Sequence, residues 1–235
     1  MGRIALVGGN EFRPNCESMD RVLLDSTGVE RPRVAIIPTA AAERGPFQAA
    51  ANGVSYFERL GADAWPLMVL SSADADDAKN VLRLDDADLV YLTGGDPGHL
   101  LDVLTGSALL EGLKRALQRD AVVAGSSAGA MVMGSWMGFR DWRPALGVVP
   151  NIAVLPHHER SDPDANVARL DGALPNSVAV LGVEVGTGCL SDDDGWTVVG
   201  DGTVVLYSGD RWERFERGDL VPLEAGLNVR VPNSK

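Results

Sequence analysis

Cysteine is scarce in this sequence. Two cysteines, Cys16 and Cys189, stand far apart in a chain of 235 residues. Such a pair makes neither a disulfide framework nor a cysteine-based zinc site. It fits a reducing compartment, and the cytoplasm is the expected location. Histidine is nearly as rare, with only His99, His157 and His158. Positive charge is in deficit: 21 Lys and Arg face 33 Asp and Glu, for a formal net charge of −12. That argues against nucleic acid or an anionic membrane surface as the partner. No apolar run approaches the roughly 20 residues that cross a bilayer. The opening "MGRIALVGGNEF" has too short an apolar run for a signal peptide and lacks a small-residue cleavage site. Internal repeats and low-complexity linkers are also absent.

Apolar residues make up 45% of the chain, enough for a sizeable core. Strand-like runs fall at "RIALVGG" (3–9), "RVAIIPTA" (33–40), "ADAWPLMVL" (62–70), "ADLVYLTGG" (87–95) and "AVVAGS" (121–126). Between them lie stretches of helical spacing such as "PFQAAANGVSYFERLG". Continuous apolar strands alternating with helices predict a parallel sheet covered on both faces. From residue 147 the style changes. "GVVPNIAVLPHH" and "SVAVLGVEVG" read as strands around a helix near "DANVARLDGAL", and Asp-Gly and Ser-Gly-Asp turns then punctuate short strands. This is hairpin chemistry. The expectation is one domain over residues 1–235: an α/β, three-layer αβα, flavodoxin-like fold. Its mostly parallel sheet carries a C-terminal antiparallel extension of the same sheet. Two acidic patches, "SSADADDAKN" and "SDDDGW", read as a solvated helix start and a tight turn.

"AGSSAGAMVMGSW" (124–136) places a dense run of small residues between a strand and an apolar helix. Gly125 to Gly129 satisfy G-x-S-x-G with Ser127 central, while Ser126 belongs to the preceding turn. A serine there projects Oγ above a strand-to-helix turn, and the following amide, of Ala128, points to the same place. Ligands of open α/β sheets bind beyond the carboxyl ends of strands. A serine alcohol needs a base. His157 and His158 end the run "NIAVLPHHERSD", at the same edge of the sheet. Glu184 ends another apolar strand in "LGVEVGTG", where a carboxylate is costly to bury without a partner. "YLTGGDPGHLL" also closes a strand and opens a helix. Asp96 fits an N-cap, Pro97 the first helical position, and Gly94 and Gly95 allow backbone amides to approach a ligand.

In this order, "TGGD", "GSSAGA", "LPHH" and "LGVEVGTG" resemble the cyanophycinase and α-aspartyl dipeptidase family of serine peptidases, whose fold is similar to that of class I glutamine amidotransferases. The resemblance runs from "ALVGGNEF" to "VPLEAG". It implies a nucleophile at Ser127, a base at His157, and an oxyanion hole shared by the amides of Gly95 and Ala128. His158 takes the family's aromatic position. Asp96, His158 and Arg160 are the implied substrate contacts, with Arg140 and Arg143 further candidates for a cationic aspartate subsite. The sequence departs from the family in two places. Pro97 follows the loop aspartate where Gln or Thr is usual. In ungapped alignment Val185 takes the position of the triad acid, and a one-residue gap puts Glu184 there. Asp192, Asp193 and Glu159 are the substitutes.

The implied activity is hydrolysis of a peptide or isopeptide bond at an aspartyl unit of a small peptide-like substrate, through an acyl-enzyme on Ser127, without metal or organic cofactor. A homodimer is compatible with this reading. A catalytically decayed, flavodoxin-like binding module is the alternative, motivated by Val185. Amidotransferase chemistry would want cysteine at the elbow, whereas Cys16 and Cys189 lie elsewhere and read as packing residues.

Overall fold

The computed structural model describes residues 2–223. The end of the "VPLEAG" stretch therefore lies outside the described residues. Strands β1 (Arg3–Val7), β2 (Arg33–Ile37), β3 (Asp63–Pro66), β4 (Leu89–Leu92) and β5 (Val122–Ser126) alternate with helices α1 (Glu17–Asp25), α2 (Pro46–Arg59), α3 (Ser72–Asp76), α4 (Ala78–Arg83), α5 (Pro97–Leu104) and α6 (Ala108–Gln118). Helix α7 (Ala128–Met133) follows β5 directly. The chain continues through β6 (Trp136–Phe139), β7 (Asp141–Pro144), β8 (Ile152–Pro156), α8 (Pro163–Leu170) and β9 (Ala179–Val183). It ends in β10 (Thr187–Ser191), β11 (Trp196–Gly200), β12 (Val204–Ser208), β13 (Arg211–Phe215) and β14 (Leu220–Val221).

The main sheet has eight strands in the order β14-β11-β10-β1-β5-β4-β2-β3. The run from β1 to β3 is parallel, and β10, β11 and β14 extend it antiparallel. After the charged residues that open β1, β2 and β3, the parallel strands are largely apolar because both faces are covered. Ile4 and Leu6 face one core cluster with Ile37, Leu92 and Leu113, while Ala5 and Val7 face the other with Leu23, Tyr56 and Phe57. This is the three-layer sandwich expected from the alternating pattern.

The remaining strands do not extend this sheet. They form a second, six-stranded one in the order β13-β12-β9-β8-β6-β7. Ile152, Val154, Leu181 and Val183 share the large core of the main sheet, and Ala153, Val180, Val205 and Tyr207 face Val167 and Leu170 of α8. Alternation along a strand shows that it is half-buried but not which sheet it joins. The chain passes between the sheets at residues 184–186, after β9 and before β10.

The acidic patches supply a cap and a turn, and Asp76 of the first also accepts from Ala108 N at 2.9 Å. Ser71 and Asp74 form a capping box at α3. Asp192 accepts from the amides of Asp194 and Gly195 within its own turn. Among the described residues no helix is long and apolar enough to cross a membrane, and no group of His, Cys, Asp and Glu could hold a metal ion.

One carboxylate sits inside the core. Asp20 of α1 is 0% exposed; it accepts from Tyr56 Oη at 2.8 Å through Oδ2, and Oδ1 has no partner. Burial pushes its carboxyl up to about 7, Glu11's charge acts the same way, and the Tyr56 bond opposes both. The folded state thus holds a proton that the unfolded chain releases near its ordinary value. Stability from this group is complete below that value and falls as pH rises to about 7. Asp20→Asn is expected to gain melting temperature relative to the parent as pH rises from about 4 to about 7, then to keep a constant lead. A pH-independent difference between the two melting curves would show that Asp20 ionises normally.

Candidate active site

Three neighbouring parallel strands, β1, β5 and β4, end at one edge of the main sheet. Beyond them lie residues 8–12, Ser127, and Gly94 with Gly95. Ser127 joins β5 to α7 with φ 48° and ψ −105°, outside the ordinary regions for a residue with a side chain. A turn this tight brings strand and helix backbones together. A Cβ on Gly125 would lie 2.6 Å from Gly129 O, and one on Gly129 would lie 2.6 Å from Leu92 O. The density of small residues in "GSSAG" is thus a packing requirement of the elbow.

The elbow is tied to β1, since Ser127 N donates to Val7 O at 2.9 Å. His157 follows β8 in a left-handed conformation, φ 55°, and its amide donates to the next carbonyl, Gly8 O, at 2.9 Å. Its ring packs on Gly9, where any Cβ would collide with the imidazole. Ser127 Oγ and His157 Nε2 stand 3.0 Å apart. The structure thus brings together the two residues that the sequence pattern paired.

The glycine loop after β4 borders the serine: a Cβ on Gly94 would come within 3.3 Å of Ser127 Cβ. Gly94 N donates to Glu11 Oε1 at 2.7 Å. The amides of Gly95 and Ala128, by contrast, have no acceptor among the described residues. Asp96 caps α5, accepting from Gly98 N at 2.7 Å and His99 N at 3.1 Å, so Oδ1 of the proposed substrate contact is engaged within its own helix. His99 Nε2 meets Leu70 O at 2.9 Å, away from the serine.

Glu184 does not hold His157 in this structure. Its Oε2 accepts from Thr203 N at 2.9 Å, across the passage between the sheets. The sequence put an acid at the strand end correctly, but the neighbouring 202–203 turn takes its oxygen. Among the described residues no carboxylate hydrogen-bonds the His157 ring. Asp192 is bound in its own turn, and Glu159 Oε2 accepts from Val185 N at 3.3 Å.

His158 departs further from expectation. The left-handed turn at His157 sends the two adjacent rings apart, and His158 is 3% exposed under the second sheet. Its Nε2 meets Tyr207 Oη at 2.7 Å and Asn166 Nδ2 at 3.3 Å, and its ring lies against Gly182. It packs a core rather than shaping a cleft. Burial holds its pKa below the ordinary value, while the charge of Glu184 pulls the other way.

Arg160 projects into solvent, with 91% of its side chain exposed and Glu159 3.9 Å away. Arg140 lies over the Phe139 ring at 5.8 Å. Arg143 is different. It is half-buried, its Nη2 would lie 3.3 Å from a Cβ on Gly98, and its buried Nε has no partner. The residue that sequence reasoning missed is Glu11, whose carboxylate reaches both Gly94 N and Ser126 Oγ. Its only signal was position, an acid just past the glycines that close β1. Both cysteines are buried and free, and burial raises both thiols, Cys16 to about 12. Neither is poised as a nucleophile.

A serine on a strained strand-to-helix turn, facing a histidine at the carboxyl edge of a parallel sheet, defines an α/β protein of the serine-hydrolase type. Comparison with known proteins narrows the class. The chain belongs to peptidase family S51, whose model matches residues 4–194, and is therefore a serine-type peptidase. It is 27% identical over 235 residues to a cyanophycinase of Geminocystis herdmanii, covering 92% of this chain and 84% of that protein. It is 29% identical over 160 residues to peptidase E of Streptomyces coelicolor, covering 62% of each. A peptidase from an acI-B1 Actinobacterium has the same fold, with a TM-score of 0.81 and 29% identity over 93% of this chain and 96% of that one.

His158→Phe removes the ring nitrogen that Tyr207 and Asn166 share. It is expected to cost about 1–3 kcal/mol of stability, the usual penalty for stranding buried polar groups. Chemical denaturation checks this. Reaction of the folded variant with a serine-directed phosphonate should be retained; a stable but unreactive variant would return His158 to the reactive site.

Proposed function

We propose that the protein hydrolyses a peptide or isopeptide bond at an aspartyl unit of a small substrate, through an acyl-enzyme on Ser127. The observation that carries this reading is the 3.0 Å approach of Ser127 Oγ to His157 Nε2 at the elbow. His157 takes the Oγ proton as the oxygen attacks the substrate carbonyl. The amides of Gly95 and Ala128, which have no acceptor among the described residues, receive the developing oxyanion. The imidazolium then protonates the leaving amine. Water, deprotonated by the same ring, releases the acyl group. No step calls for a metal or organic cofactor.

The aspartyl preference rests on the family's relatives and on Arg143. Its guanidinium has no carboxylate partner among the described residues and borders α5 three residues past Gly95. A substrate carboxylate would supply that partner. The decayed-module reading was motivated by Val185. Membership of family S51 and the intact serine–histidine pair both favour the enzyme.

Fluorophosphonate should label the parent at one site. Ser127→Ala should abolish labelling and His157→Ala should slow it by orders of magnitude, while Ser126→Ala keeps the labelled residue unchanged. In the parent, N-terminal aspartyl dipeptides should be cleaved and their asparaginyl counterparts should not. Full labelling of Ser127→Ala would refute the nucleophile, and equal cleavage of the two dipeptides would refute the cationic subsite.

The imidazole is placed by backbone, through Gly8 O and the surface of Gly9, as much as by any acid. Glu184→Gln is therefore expected to lower kcat/KM by less than about a hundredfold, below the about 10⁴ that loss of the orienting acid cost a known triad. A loss near that larger figure, measured on the same dipeptide, would mean that the Glu184 carboxylate turns onto His157 when substrate binds.

A further inference from the structure

The segment after β1 is held in an unfavourable backbone. Gly9, Asn10 and Phe12 have φ of 124°, 62° and 65°. For Phe12, with no polar side chain to compensate, a positive φ is unfavourable. Packing offsets this cost. The Phe12 ring meets Tyr56, Phe57 and Tyr91 with centroids 5.8, 6.1 and 5.3 Å away. Asn10 O accepts from the buried Cys16 Sγ at 3.0 Å.

Pinned on both sides, the loop carries Glu11 over the strand ends. There its two carboxylate oxygens serve different elements. Oε1 accepts from Gly94 N at 2.7 Å, and Oε2 accepts from Ser126 Oγ at 2.8 Å. Gly94 precedes Gly95, and Ser126 precedes Ser127. Among the described residues no cation lies within ion-pair distance of this carboxylate. Among the described residues two hydrogen-bond donors hold this side chain, and hydrogen bonds to a carboxylate are short and strong.

We propose that Glu11 is a positioning residue that locks the glycine loop of β4 to the elbow of β5. It engages the Gly94 amide and thereby sets the direction of the Gly95 amide relative to Ser127 Oγ. This inference rests on the reading of Ser127 as nucleophile with Gly95 and Ala128 as oxyanion donors. A carboxylate suits the task because both its oxygens accept. A glutamine keeps the span: its oxygen can take Gly94 N while its amide donates to Ser126 Oγ.

The loss of one oxyanion donor costs about 10²–10³ in turnover, so a displaced donor should cost at least about tenfold. Glu11→Ala is expected to lower kcat by that amount with KM within about twofold. Affinity for a peptide aldehyde, whose adduct places an oxyanion in the same hole, should fall in parallel. Glu11→Gln should recover most of both. Amide hydrogen exchange at Gly94, which needs no turnover, should be slow in the parent, fast in Glu11→Ala and intermediate in Glu11→Gln. Ser126→Ala, which removes one of the two donors, should speed exchange of the Gly94 amide less than Glu11→Ala and keeps the test open if that variant does not fold. Unchanged exchange, kcat and aldehyde affinity in Glu11→Ala would overturn the proposal. So would equal damage in Glu11→Gln and Glu11→Ala. If the parent itself fails to react with fluorophosphonate at Ser127, the nucleophile reading fails instead, and the exchange measurement still decides whether Glu11 forms the lock.

Discussion

The carboxyl end of β1 is the point on which the site depends. Two successive carbonyls there, of Val7 and Gly8, receive the amides of Ser127 and His157. One residue comes from the main sheet and the other from the second sheet, and β1 lies beside both. A pair of backbone hydrogen bonds to adjacent peptide units fixes their relative height to within the tolerance of a bond. Oγ and Nε2 reach 3.0 Å because their main chains hang from the same strand. Reactive groups held this way need little reorganisation to meet.

That arrangement imposes close approaches elsewhere. With backbone crowded around β1, side chains are excluded at Gly9, under the imidazole, and at the Gly125–Gly129 contact behind the elbow. The strain at Ser127, His157 and Phe12 is concentrated within this same small region. It is balanced by the buried strands beneath, with β5 buried along its whole length, and by the aromatic cluster around Phe12. A rigid sheet with strained connections at one edge is a common way to present a reactive group.

Charge is distributed with similar economy. Glu184 and Glu159 bind backbone amides at the passage between the sheets, Glu11 binds two donors at the elbow, and Asp96 caps a helix. Four carboxylates surround the site, yet none is hydrogen-bonded to the imidazole. Arg143 lies beside Gly98 and the Asp96 cap, and its buried Nε has no partner among the described residues.

The amino-acid sequence by itself determined the local pieces. The alternation of apolar strands and helices before residue 126 specified a covered parallel sheet, and "GSSAG" specified a tight elbow with Ser127 central. "LPHH" put a histidine at a strand end, and the bland acidic patches were a cap and a turn. Each follows from neighbours within a few residues, where steric and capping rules act directly. The tertiary structure alone decided what depends on distant partners. It divided the later strands between two sheets, since half-burial does not name the sheet. It turned His157 outward and His158 inward, since the left-handed backbone of His157 itself sends the adjacent rings apart. It gave Glu184's Oε2 to Thr203, since that amide arrives from 19 residues away. And it brought Glu11 to residues 83 and 115 positions distant, a meeting that no periodicity in the chain encodes, because strand order rather than sequence order sets which loops share an edge.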